Sequence, residues 1–205
     1  MHKLTKLTLF CCLSLPLLAV AASPAQQLEN KLTAINTLQA RFKQVLKNEK
    51  GKKIQASRGR VIIKKPNRFI WKITQPAPQL ILGDGKNIWI YDKDLMQVTI
   101  KPMKKKLGET PAALLSGDSE FIKKQFNVAM KKQQYILKPK KKQTNFTWIK
   151  LEFSRGKLKK MILKDKVGQI STLEFSHLKL NQPVSAKKFH FKPPKNVDVI
   201  GKPVS

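Results

Sequence analysis

Side chains able to act as nucleophiles, bases or metal ligands are few in this sequence. Cys11 and Cys12 stand side by side near the amino end, and the histidines beyond that region are His177 and His190. A hydrolytic nucleophile needs a base within reach. His177 and His190 sit in strand-like segments without a Ser or Asp motif beside them, so ordinary strand positions are expected for both. Asp92 and Asp94 form a close acidic pair, but they occupy a turn, where Asp bonds to nearby backbone. Two turn carboxylates without further ligands make a poor metal site. Asp84-Gly85-Lys86 lacks the glycine pattern of a phosphate loop. The inventory holds no catalytic constellation, and neither an enzyme nor a metal or cofactor site is expected.

Charge is the next feature. Among 205 residues, 42 are Lys or Arg and 12 are Asp or Glu, a net charge of +30. Such an excess first suggests nucleic acid. The type of basic residue argues against it. Only Arg41, Arg58, Arg60, Arg68 and Arg155 are arginines, and Arg, not Lys, carries the planar fork that reads base edges. No nucleic-acid partner is expected. The excess is expected to aid docking to acidic partner surfaces or anionic head groups, or to serve as a solubilising coat.

The amino end changes the compartment. Lys3 and Lys6 precede an apolar run from Leu7 to Val20, and Ala19-Val20-Ala21-Ala22 follows the pattern of a cleavage site. This reads as a secretory signal peptide over residues 1–22, cut after Ala21 or Ala22. The run is short for a membrane span of about 20 residues, although an uncleaved anchor is the alternative. Phe10 and Cys11 before Cys12, with apolar residues beyond, do not fit a lipidation signal. Cleavage would remove both cysteines and leave 40 basic against 12 acidic residues, +28, in one domain over residues 23–205. Hydrophobic residues make up 41% of the chain, enough for a sizeable core.

Stepping along that domain, Ser23-Pro24 suits a helix start. Leu28, Leu32, Ile35, Leu38, Phe42 and Val45 recur at spacings of three and four, which predicts one amphipathic helix running to about Leu46. The period then falls towards two. Strands are expected near 55–63, 68–74, 79–82, 87–91 and 97–100, separated by turn residues about every ten positions. Asp84-Gly85 is the strongest hairpin signal. Thr110-Pro111 opens a short helix through Leu115, and 119–124 predicts a second helical turn. Strands resume over 127–131, 134–137, 147–153, 158–163 and 170–180. The pattern is one long helix, a long antiparallel sheet and a short helical insertion. A sheet of that length leaves a concavity lined by residues such as Phe42, Phe69, Trp71, Trp89 and Leu114. These form either plain core or an apolar pocket for a greasy ligand.

The ordered set Phe42-Lys43-Gln44, Lys65-Pro66-Asn67-Arg68-Phe69-Ile70-Trp71, Thr74-Gln75-Pro76, Asp84-Gly85-Lys86 and Trp89-Ile90-Tyr91 resembles the LolA family of periplasmic outer-membrane lipoprotein carriers. Gln97-Val98-Thr99, Thr110 to Leu115, Leu137-Lys138-Pro139, Asp165 with Gly168-Gln169, and Phe189 to Pro194 continue the resemblance. It spans essentially the whole chain beyond the leader. It implies a mainly β fold with helices: an unclosed antiparallel β-barrel, a half-barrel, with a helical lid over a hydrophobic cavity. It also implies a periplasmic chaperone that binds the acyl chains of lipoproteins. A LolCDE-like inner-membrane ABC transporter would supply them, and a LolB-like outer-membrane receptor would accept them; a monomer is expected.

By the same resemblance, Phe69 and Trp71 line the cavity from the sheet, with Trp89 among the cavity residues. Leu32, Leu38 and Phe42 face it from the long helix, and Leu114 and Leu115 from the lid. Where studied members carry an Arg before the Pro, clasping lid to barrel, this chain has Lys65. The planar fork is lost there, which implies a weaker clasp or one placed elsewhere. Ala112-Ala113 is also smaller than bulky lid residues would be. The alternatives are a lipid-binding or envelope-sensing relative on the same fold, or a basic exported protein that binds anionic surfaces.

Overall fold

The computed structural model describes residues 22–103, 110–116, 119–141 and 145–204. All of the expected leader but Ala22 lies outside these residues. Helix α1 (Pro24–Thr33) begins as its sequence dictates: the Ser23 hydroxyl accepts from the Gln26 amide at 3.3 Å, and Pro24 opens the first turn.

The helix does not continue to Leu46. It ends at Thr33, whose hydroxyl donates back to the carbonyls of Glu29 and Asn30, a local bond that competes with helix continuation. Strand β1 (Thr37–Lys47) follows. The expectation failed because of parity. Leu38 and Phe42 are four apart, which is close to one helical turn and also two full strand periods, so they share a face in either structure. Ala40 between them is buried on that same face. Pairing with strands on both sides then decides for the sheet.

Strands β2 (Lys53–Lys64), β3 (Arg68–Gln75), β4 (Gln79–Asp84), β5 (Asn87–Asp92) and β6 (Gln97–Pro102) form a meander. Helices α2 (Pro111–Ser116) and α3 (Ser119–Gln125) interrupt it. The second run is β7 (Phe126–Lys131), β8 (Gln134–Pro139), β9 (Phe146–Ser154), β10 (Lys157–Asp165) and β11 (Ile170–Leu180). A 3₁₀ turn (Ala186–Phe189) and strand β12 (Asp198–Ile200) end the chain.

The strands make one sheet in the order β12-β6-β5-β4-β3-β2-β1-β11-β10-β9-β8-β7. Every neighbouring pair is antiparallel except β12 with β6. The ends, β12 and β7, do not pair, so the sheet stays open. β1 sits at its centre, joining the two meanders through β2 and β11.

The β4–β5 hairpin is fixed by one carboxylate. Asp84 accepts from the Lys86 and Asn87 amides, both at 2.7 Å, and from the Trp89 indole N–H at 2.7 Å, while Gly85 takes the left-handed backbone (φ 109°) that the turn requires. Partial burial pushes the Asp84 carboxyl up. The bonds from Trp89, Asn87 and Lys86 outweigh that and hold it below the usual carboxylate value. A depressed acid contributes stability that is present above its unfolded pKa and lost as pH falls through its folded pKa. Asp84→Asn is therefore expected to cost about 1–3 kcal/mol at pH 7. The gap between the two proteins should close on the acid side of about pH 4. Urea unfolding at pH 7 and pH 3 checks this; a gap independent of pH would contradict the assigned role.

Candidate functional site

The inner face of the sheet is largely apolar from β5 across the centre to β8. Leu38, Ala40 and Phe42 of β1, Val61 and Ile63 of β2, Phe69 and Trp71 of β3, and Ile88 of β5 point to it. From the other meander come Leu137, Ile149, Leu151, Met161, Leu163, Leu173 and Phe175. Leu28, Leu32, Ile35, Ala112, Leu114, Leu115 and Ile122, from the three helices and the α1–β1 link, close over them in one buried cluster. At its centre the rings of Phe42 and Trp71 stack with centroids 4.3 Å apart, and Phe175 meets Trp71 edge-on at 6.5 Å. Gly59 of β2 lies under the Phe42 ring. A Cβ there would come within 2.7 Å of that ring and 2.0 Å of the Lys72 carbonyl, so only glycine permits the approach.

Polar ties hold the helices in place. The β2–β3 turn carries two of them. The Lys65 ammonium donates to the Leu32 carbonyl at 2.5 Å, near the carboxyl end of α1, and the Asn67 amide donates to the Ser116 carbonyl at 2.9 Å, the last residue of α2. A third tie joins α3 to α1: Lys123 pairs with Glu29 at 2.5 Å and donates to Gln26 at 2.6 Å. A lysine at a helix carboxyl end also suits the negative pole of its dipole.

Of the residues singled out from the sequence, Leu32, Leu38, Phe42, Phe69, Trp71, Leu114 and Leu115 come together in this cluster. Leu38 and Phe42 reach it from strand β1 and not from a helix. Ala112 is buried with them. Lys65 sits at the lid, where its ammonium donates to the Leu32 carbonyl of α1. Trp89 departs from the group. Its neighbour Ile88 belongs to the inner cluster, so Trp89 faces the other way. It packs against Phe191 at 5.6 Å and donates to Asp84. The sequence could not settle this, because Ile88 and Ile90 on one face and Trp89 and Tyr91 on the other are all apolar.

Trp89 marks a layer that the sequence did not disclose. Beyond β11 the chain runs back across the outer face of the sheet. Phe189 and Val184 are buried, Phe191 lies against Trp89 and Tyr91, and the Val184 carbonyl accepts from Lys64 at 2.8 Å. The alternating aromatics Phe189 and Phe191 were the available signal.

Between lid and sheet, Leu32, Ile35, Leu38, Ile63, Lys65, Leu115 and Leu158 enclose a void of only about 10 Å³, room for about one water. At this place, among the described residues, lid and sheet pack closely against each other.

An open sheet whose greasy face is covered by short helices is built to shelter an apolar group; among the described residues no cluster of His, Cys, Asp or Glu could hold a metal. The family described as "Outer membrane lipoprotein carrier protein LolA" matches residues 33–192, and the chain belongs to that family. It is 42% identical over 180 residues to the outer-membrane lipoprotein carrier protein of Legionella pneumophila (strain Corby), covering 86% of this chain and 89% of that one. It is 39% identical over 203 residues to that of Azotobacter vinelandii, covering 94% and 98%. The fold is also similar to the crystal structure of LolA superfamily protein NE2245 from Nitrosomonas europaea, with a TM-score of 0.51 at 17% identity over 83% of this chain and 99% of that one.

Removing the Lys65 tie should loosen α1 specifically. A hydrogen bond to a charged group contributes about 1.5–3 kcal/mol, so Lys65→Ala is expected to speed amide exchange in α1 by at least tenfold while β1 amides keep their rates. Lys65→Arg should restore slow exchange. Equal rates in all three proteins would remove Lys65 from any role at the lid.

Proposed function

We propose that this protein is a periplasmic chaperone that carries acylated lipoproteins between membranes. The observation that supports this best is the continuous apolar inner face of an open sheet, capped by short helices, in a chain of the LolA family. The acyl chains would lie beneath the lid against Leu38, Phe42, Phe69 and Trp71, with Leu32, Leu114 and Leu115 displaced from above. Lys65 would serve as the clasp that opens and re-forms.

The energetics fit such a role. Burying a CH₂ group is worth about 0.8 kcal/mol, so an acyl chain of about fifteen such groups gains on the order of 12 kcal/mol by leaving water. The helices must give up part of their own burial to admit it. The net affinity is the difference between the two, which leaves room for both capture and release.

In this reading the leader over residues 1–22 directs export and is cut after Ala21 or Ala22, leaving one carrier domain over 23–205. A LolCDE-like inner-membrane ABC transporter loads the carrier, a LolB-like outer-membrane receptor empties it, and the carrier works as a monomer without enzymatic activity.

The test is release of cargo. Purified protein lacking residues 1–22 is incubated with energised spheroplasts that display a newly made lipoprotein. A soluble one-to-one complex with the acylated lipoprotein is expected, and none with the same protein lacking its acyl groups. Failure to release any lipoprotein, or equal capture of the unacylated form, would overturn the reading.

A further inference from the structure

The outer face of the sheet is not covered uniformly. The carboxy-terminal segment lies over β3 to β6, where Trp89, Tyr91 and the buried Val98 and Leu82 face it. On the central strands, beyond Gln39, Ile62 and Ile70, that face carries exposed basic side chains. Cross-strand register puts Arg41 directly opposite Arg60, Arg60 opposite Lys72, and Lys43 opposite Arg58. These positions alternate with the buried Phe42, Gly59, Val61 and Trp71, so they point away from the cargo face. Together with Lys159 and Lys160 they rim a concavity of about 940 Å³ that also reaches Phe42, Gly59 and Phe175 and whose single carboxylate is Glu174. Glu174 pairs with Lys160 at 3.1 Å, and among the described residues no carboxylate forms an ion pair with the other six cations.

Two features separate this patch from the general lysine coat. Three of the five arginines in the chain gather here. Like charges set directly opposite one another across strands also oppose folding, so the arrangement is costly unless an anion answers it. A bulge adds a third feature. Between Gln39 and Arg41 the β1–β11 register slips, and His177 takes a left-handed backbone (φ 53°) at the rim of the concavity. Bulges re-aim side chains in this way next to binding sites.

We propose that this face is a docking surface for anionic phospholipid head groups, by which the protein sits on a membrane with its cargo face turned away from the lipid. Guanidinium forks take phosphate oxygens two at a time. A lone phosphate would engage two or three of the seven cations, whereas they span five strands, about 20 Å at the usual strand spacing. A field of head groups matches that spread, and the negative potential at such a surface attracts each basic residue near it. Carboxylate and phosphodiester each offer two oxygens to one fork, so it is the breadth of the patch, and not the single contact, that favours a surface of head groups over an acidic peptide.

The experiment uses the chain without residues 1–22 and vesicles free of any lipoprotein, so it is independent of the cargo reading. Vesicles of phosphatidylcholine with about 30% phosphatidylglycerol are compared with pure phosphatidylcholine by co-sedimentation at low and at physiological salt. Binding to the anionic vesicles alone is expected, weakening with salt as exposed charges are screened. The triple variant Arg41→Gln, Arg58→Gln, Arg60→Gln is expected to bind about 100-fold more weakly. A second variant, Lys93→Gln, Lys131→Gln, Lys202→Gln, makes the same charge change at the two edges of the sheet and should lose less than fivefold. Circular dichroism and thermal melting establish that both variants are folded.

Equal losses in the two variants would overturn the proposal, as would binding to pure phosphatidylcholine. So would displacement of the protein from anionic vesicles by 10 mM inorganic phosphate at constant ionic strength, or a deca-glutamate peptide binding more tightly than the vesicles do. Retention on the vesicles in both competitions supports the lipid surface.

Discussion

The structure depends on one constraint: the sheet is wide, apolar on its inner face, and open. A barrel hides such a face by closing on itself. Here β12 and β7 remain apart, so the aromatic and aliphatic layer around Phe42, Phe69 and Trp71 must be covered by something else. The three helices are that cover. They are short, six to ten residues, and helices of that length are marginal by themselves. Their stability comes from the sheet they cover. Cover and covered surface are therefore coupled, and the same burial that folds the helices fills the interior.

That coupling gives the site its reversibility. Where Leu32, Ile35 and Leu115 meet the sheet the void is only about 10 Å³. In the proposed role, a guest lying there would displace Leu32 and Leu115, and dispersion and hydrophobic terms would largely exchange instead of adding. Polar ties add to this, among them Lys65 on the Leu32 carbonyl, Asn67 on the Ser116 carbonyl, and Lys123 on Glu29. Each spans between covering helices or from a helix to the β2–β3 turn. The Lys123–Glu29 pair is the costliest of them to break, because Glu29 is buried. A lysine at position 65 offers a compact charge with rotatable donors where an arginine would offer a fixed fork, which would suit the releasing clasp proposed above.

The two faces of the sheet divide the labour. Inside lie the apolar residues. Outside, the carboxy-terminal segment shields the strands on one side of the centre with Phe189, Phe191 and Val184, while the central strands carry the basic rows around Arg41, Arg58 and Arg60. The net charge of +30 is thus not an even coat. Because the strand period is two, every basic residue placed outward on β1 to β3 sits beside an apolar residue turned inward, and one pair of strands serves both surfaces.

Much of this was legible in the residues. The turn chemistry of Asp84-Gly85, the Ser23-Pro24 start of α1, the insertion opened by Pro111 and nearly every strand followed from local rules that the tertiary structure left intact. So did the membership of Leu32, Phe69, Trp71, Leu114 and Leu115 in one apolar cluster, because large apolar side chains in a chain of this size have nowhere else to go. Three things did not follow. The end of α1 and the start of β1 were hidden because a spacing of four satisfies a helix and a strand alike, and only pairing with β2 and β11 chose between them. The direction of Trp89 was hidden because both faces of β5 are apolar, and only the strap beneath Phe191 explains the second. The basic rows were hidden because Arg41, Arg60 and Lys72 are distant in sequence. The sequence determined the elements, the composition of the interior and the sign of the charge, all of which are properties of residues and their near neighbours. The tertiary structure decided which apolar residues share a face and where the charge collects, because register between strands is set by the whole sheet and by no single segment of it.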